Sequence, residues 1–159
     1  MSELPIDQER LDYEIMQFEC QCVVPIGSPL ERLKVITPAD LDNVPFIALG
    51  PDHMTYHRTL EAFMKANSQL QVRCHVHLFR TALDFVKEGM GVAIVDPFTL
   101  QHDDGKGYVC RPMKPAIFLD LAIILAKDRP VSQLASEFTA VLRREMRGFA
   151  TGRSRKKNY

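Results

Sequence analysis

The chain has no tryptophan, only four cysteines, and no net charge, with 20 basic residues set against 20 acidic ones over 159 positions. Each shortage removes a class of function. A protein that holds nucleic acid along its own surface needs a basic excess to neutralise phosphates. Here the excess is confined to Arg153-Ser-Arg-Lys-Lys157, and a short basic end after Gly148 and Gly152 reads as a disordered tail over 148–159. Cys20, Cys22, Cys74 and Cys110 form neither a CxxC pair nor the paired spacing of a zinc site. Cys20 and Cys22 lie two apart in an extended run, share a strand face and are poorly placed to bridge. Reduced thiols without a secretion leader point to the cytoplasm. The longest apolar run, Leu121–Ala126, falls well short of the roughly 18–20 residues a bilayer span requires, so no membrane partner is expected.

Catalytic signatures are missing too. There is no GxSxG, P-loop or GxGxxG. Cys74 and His75 are adjacent on a strand and point to opposite faces, so they cannot act as a nucleophile and base. His53 and His57 stand four apart without the glutamate of an HExxH zinc motif. Nothing here supports an enzyme, a metal or a cofactor.

What is present is an alternation of strand and helix patterns, which puts the chain in the α/β class. Tyr13–Phe18 and Glu19–Val24 read as extended chain, broken by Pro25-Ile-Gly-Ser-Pro29. Thr37 caps a short helical turn with Pro38 at its first position and Asp40 near its positive end. Pro45–Leu49 is a buried strand that stops at Gly50-Pro51, and Tyr56, Leu60, Phe63 and Met64 form the apolar face of the next helix. Val72 to Pro97 then spells strand, helix, glycine turn and strand, with Leu78, Ala82, Phe85 and Val86 at helical spacing and Gly89 at the helix end. Tyr108–Arg111 and Ile117–Ala126 are further strands. A last helix begins near Ser132, with Leu134, Phe138, Val141, Leu142 and Met146 on one face. That helix and the long apolar strand before it both call for a covering layer.

The order of these pieces resembles the effector-binding domain of LysR-type transcriptional regulators, whose fold is similar to that of periplasmic binding proteins. Leu4-Pro-Ile-Asp7 looks like the segment after that family's first lobe. Val24-Pro-Ile-Gly-Ser-Pro-Leu30 resembles its VP-x-G-H-P-L turn, with Ser28 where histidine is usual. Ile36-Thr-Pro-Ala-Asp-Leu41 followed by Pro45-Phe-Ile47 is similar to its T-P-x-D-L segment. Val86 to Pro97 resembles its V-x-x-G-x-G stretch, and Arg129-Pro-Val-Ser-Gln-Leu134 to Phe138 the start of its last helix. The resemblance spans residues 4–147. It implies Rossmann-type lobes, one complete over 20–96 and part of a second built from 1–19 and 97–147. The family's winged helix-turn-helix and the opening of its first lobe are not in this sequence. DNA would therefore be reached only through an absent domain, and the chain reads as a fragment or a truncated regulator.

The same resemblance implies a small-molecule effector in an interlobe cleft and association with further copies of the chain. Strand-to-helix junctions of open α/β sheets are where ligands bind, since a helix start offers unpaired N–H groups and partial positive charge. His77 falls where the family places effector-contacting side chains, with Arg80 nearby. Both are expected to meet an organic acid or amino-acid-like anion, against the alternative that His77 merely caps a helix or lies on the surface. Gly50, His53 and Thr55 should supply the other half of that wall. Thr99 either reaches the cleft or satisfies a helix N-terminus. A free-standing periplasmic-type solute-binding protein and a truncated regulator with no autonomous function are the competing readings.

Overall fold

A computed structural model describes residues 11–127 and 130–150. Leu4–Asp7, Arg129 and the basic tail from residue 151 lie outside the described residues. The chain divides into two compact units, Glu19–Leu119 and a smaller one built from the flanking segments.

In the larger unit, β2 (Gln21–Pro25), β3 (Pro45–Leu49), β4 (Gln71–Val76), β5 (Ala93–Val95) and β6 (Tyr108–Pro112) line up side by side. β3 and β4 run parallel, and β2 pairs antiparallel with β5 on one side and β6 on the other. The two ladders meet at Val92, which bridges Phe46 in parallel, with Ile47 N–H donating to Val92 O at 2.8 Å and Val92 N–H to Pro45 O at 2.9 Å. The order is therefore β4-β3-β5-β2-β6. β3 lies between the two strands of the 72–97 segment, both parallel to it.

Gly91 makes this close approach possible. At φ +157° its backbone suits few L residues, and a Cβ there would stand 2.3 Å from Pro45 O. Any side chain would push β3 and β5 apart.

Helix α1 (Met54–Lys65) joins β3 to β4, and α2 (Phe79–Lys87) joins β4 to β5. The face that α1 buries is Thr55, Thr59, Ala62 and Phe63, while Tyr56 and Leu60 are half-buried and Met64 is exposed. Met64 was expected on the apolar face. Two threonines, Thr55 and Thr59, are buried there instead. In α2, Ala82, Leu83 and Val86 are buried; Leu78 is the exposed N-cap and not part of the face. Thr37 opens a short 3-10 turn, Pro38–Leu41, and the Asp40 carboxylate accepts from both its N–H (2.8 Å) and its hydroxyl (2.6 Å).

The expected boundary at residue 96 is too early. After α3 (Pro97–Gln101) the chain stays in the larger unit, since β6 pairs with β2 from Gln21↔Pro112 to Pro25↔Tyr108. Residues 97–119, assigned from the sequence to a partial first lobe, complete the second. Their contribution is the strand that covers β2, which would otherwise be an open edge.

The smaller unit pairs β1 (Leu11–Glu19) with β7 (Phe118–Ala126) and carries α4 (Gln133–Ala150). Ser132 caps α4 by accepting from Ala135 N–H at 3.2 Å. The helix continues through Gly148 to Ala150, three residues into the segment expected to be disordered.

Candidate functional site

The ends of β3 and β4 are tied together by Gly50 N–H, which donates to Val76 O at 2.9 Å. Gly50 O then accepts from His53 N–H at 3.0 Å, closing a turn over Gly50–His53 that delivers the chain to α1. His53 is the N-cap of α1 but makes no side-chain cap bond, and its ring meets Phe79 edge-on at 6.2 Å. Met54 and Thr55 N–H groups thus stand at a helix start without intrahelical acceptors. His77 follows β4 directly, one residue before the α2 cap. The turn and this junction lie side by side, Gly50 next to His77 and His53 against Phe79, and make one wall that runs into the start of α1.

Two features of the wall are unusual. Thr55 is only 3% exposed, and its hydroxyl oxygen has no hydrogen-bond partner. A buried hydroxyl without a partner costs about 1–3 kcal/mol, which folding alone has no reason to retain. Thr59, one turn on, shows the satisfied alternative, donating to Thr55 O at 2.7 Å. The second feature is the crowding over Gly50, where the Asp52 carboxylate stands in the place a side chain would take. The point where a Cβ would stand lies 2.6 Å from Asp52 Oδ1 and 3.6 Å from His77 Nδ1.

Arg80 and Thr99 are engaged elsewhere. Arg80 pairs with Asp103 at 2.9 Å and Asp84 at 3.5 Å. Lys87 adds a second cation to Asp103 at 2.7 Å and reaches Asp104 at 3.2 Å. Burial of the Asp103 side chain pushes its carboxyl up, but hydrogen bonds from Lys87, Gly105 N–H and Tyr108 outweigh that and hold it down at about 2. The partnership with Asp103 raises Lys87 against the opposing effect of burial. This cluster fastens α2 to the loop before β6 and gives Arg80 two carboxylate partners. Thr99 donates its hydroxyl to Asp96 Oδ2 at 2.6 Å, while Asp96 Oδ1 accepts from Phe98 and Thr99 N–H at 2.9 Å each. Thr99 is thus part of the α3 cap.

A depression of about 650 Å³ lies beside β6, lined by Gly27, Ser28, Pro29, Glu31, Arg32 and Arg111. Its half-buried arginine is a clamp: Arg111 donates to the backbone carbonyls of Leu33, Cys110 and Glu31. Among the described residues no group of three or more His, Cys, Asp or Glu side chains is arranged to hold a metal ion. Nor is any described helix long and apolar enough to cross a membrane.

The sequence from residue 2 to 147 matches the model of one family, the LysR substrate binding domain. The chain belongs to that family. The regulatory protein NocR of Agrobacterium tumefaciens (strain T37) is 31% identical over 128 residues, covering 80% of this chain and 43% of NocR. The chain spans less than half the length of the curated relatives it matches, 43% and 42%. The regulatory domain of Synechocystis CcmR, solved in complex with 2-PG, superimposes with a TM-score of 0.72 at 14% identity, over 91% of this chain and 71% of that one. The effector-binding domain of QuiR, solved in complex with shikimate, gives 0.68 at 16% identity, over 92% and 69%. These likenesses fix the fold of this LysR substrate-binding domain as periplasmic-binding-protein-like, and its curated relatives are transcriptional regulators, so the free-standing solute-binding reading is not carried forward. The sequence reading missed Asp103, which pairs with Arg80 from 23 residues away and leaves no local signal.

Proposed function

We propose that this chain is the ligand-sensing domain of a LysR-type transcriptional regulator and that the wall formed by Gly50, His53, Thr55 and His77 receives its effector, an organic acid or amino-acid-like anion. The observation that carries the reading is the buried, unpartnered Thr55 hydroxyl at the start of α1, beside the free first-turn N–H groups. A ligand's polar group supplies the missing partner, and the helix start favours negative charge there. The complexes of neighbouring domains with 2-PG and shikimate support a small-molecule ligand. Effector binding on this wall would bias how an oligomer of the regulator, in the cytoplasm, holds DNA through a helix-turn-helix domain outside this sequence, a coupling between two sites. The test is a thermal melt of the chain against a panel of carboxylates and amino acids. A hit should raise Tm by about 3 °C or more at saturating ligand, and His77→Ala should lose most of that rise. A hit that His77→Ala and Thr55→Val both leave intact would place the effector elsewhere.

A further inference from the structure

We infer that Arg58 is the positioning residue through which occupancy of the effector wall is read, because it ties the second turn of α1 to the backbone of the strand on which the chain leaves the larger unit. This rests on the reading of the wall as an effector site and adds the route out of it.

The chain passes between the two units twice, after Phe18 and after Leu119. Each unit holds the two passages together with a bond of its own. In the larger unit Cys20 N–H donates to Ile117 O at 2.8 Å, and in the smaller one Gln17 Nε2 donates to Asp120 Oδ1 at 3.0 Å. Between these rungs lies Phe118 O, the first carbonyl of β7, and it accepts from Arg58 Nη1, 60 residues away in sequence. The charge of Arg58 is felt on the other passage as well. Burial and the Asp96 carboxylate push the Cys20 thiol up, and Arg58 pulls against them.

On the helix, Arg58 follows Thr55 by three residues, so the two are neighbours on one face, about 4.5 Å apart along the axis. Thr55 is the buried residue whose hydroxyl has no partner, and the first-turn N–H groups lie beside it. A ligand that takes these donors bears on the same turn from which Arg58 reaches out. A hydrogen bond from a charged donor depends steeply on distance and angle, so a small displacement of α1 changes the bond to Phe118 O. Its acceptor is a main-chain carbonyl, which hands the displacement to the strand itself and not to a side chain free to rotate. The cations of α2 reach no such group: Arg80 and Lys87 hold Asp84, Asp103 and Asp104, all inside the larger unit.

The experiment is amide hydrogen exchange, read by NMR on the 159-residue chain, in the parent, Arg58→Ala and Arg58→Lys, each with and without Thr55→Val. Without ligand, Arg58→Ala should speed exchange at residues 119–121 about tenfold or more, as expected for losing a hydrogen bond from a charged donor. Protection in β3 and β4 should stay as it was. Arg58→Lys, which keeps a cationic N–H donor but not the planar fork, should recover part of the loss. Thr55→Val should shift the amide signals of 118–121 in the parent and leave them in place in Arg58→Ala; equal shifts in both backgrounds would overturn the coupling. The probes are then the carboxylates and amino acids of the melt panel. A compound that raises Tm in the parent should still raise it in Arg58→Ala, yet change exchange at 119–121 in the parent alone. If that change survives in Arg58→Ala, the route through Arg58 is overturned and the sensing wall stands. If no compound of the panel moves the melt of the parent, the wall itself is wrong and this inference falls with it.

Discussion

The larger unit and the smaller one draw on the same apolar residue types and do opposite things with them. In Glu19–Leu119, Phe63 is 1% exposed and packs edge-on against Phe46 at 6.2 Å, inside a cluster that runs from Cys20 to Ile117. On α4, Phe138 is 65% exposed and Leu134 77%, and along β7 every second residue from Phe118 to Ala126 is exposed. Both helices are amphipathic by sequence. What differs is whether the layer that the pattern demands lies within the same unit: α1 and α2 find it in the sheet beside them, and much of the α4 stripe does not. Periodicity tells which face wants covering and says nothing about what covers it.

The sharpest way to break this comparison is to make the same substitution in both units. Phe63→Ala should cost about 3–5 kcal/mol, the usual loss for a buried phenylalanine, and Phe138→Ala should cost under about 0.5 kcal/mol as an exposed change. Urea melts of the two variants measure the gap, and equal losses would mean that α4 is covered in solution.

Acid comes next. Asp103 titrates at about 2 in the folded chain against an ordinary 3.8. Its ion pairs therefore contribute stability that is complete above the ordinary value and lost as pH falls through the folded one. Tm should drop over that acid window, and Asp103→Asn should flatten the drop while lowering Tm at neutral pH. The smaller unit's pairs, Arg143–Glu14 and Lys127–Asp12, are substantially exposed and should be worth little in any window. An acid slope unchanged in Asp103→Asn would remove the cluster from the account of the larger unit.

The smallest effect runs against the trend. Thr139 on α4 is 5% exposed and its hydroxyl donates to Ala135 O at 2.7 Å, whereas Thr55 in the better-packed unit has no such bond. Thr139→Val should cost about 1 kcal/mol, and Thr55→Val should be neutral or slightly stabilising in ligand-free protein. A loss on Thr55→Val as large as that on Thr139→Val would mean that the Thr55 hydroxyl is already satisfied, by water for example.

The elements were legible wherever their signals were local. The β3 strand ends where Gly50-Pro51 says it should, Thr37 and Asp40 close their turn as the cap pattern requires, and α4 starts at the serine that caps it. The boundary of the larger unit was not legible, because it depends on β6 returning across 83 residues to pair with β2, and nothing in Tyr108–Pro112 names that partner. The site divides the same way. Gly50, His53, Thr55 and His77 were singled out because strand-to-helix junctions announce themselves. Arg80 and Thr99 were placed in the same company because charge and hydroxyls are visible in a sequence, while the carboxylates that occupy them, Asp103 and Asp96, are identified only by geometry.

Three of the sulfurs carry one further consequence. Burial pushes the Cys20 and Cys22 thiols up to about 12 and Cys110 to about 11. At neutral pH roughly one molecule in ten thousand or fewer would hold any of them as the reactive thiolate. A peroxide or an alkylating probe would find almost nothing to attack there. Whatever chemical message reaches the larger unit, these three positions are deaf to it, and a thiol label added to the folded chain would report on the half-buried Cys74.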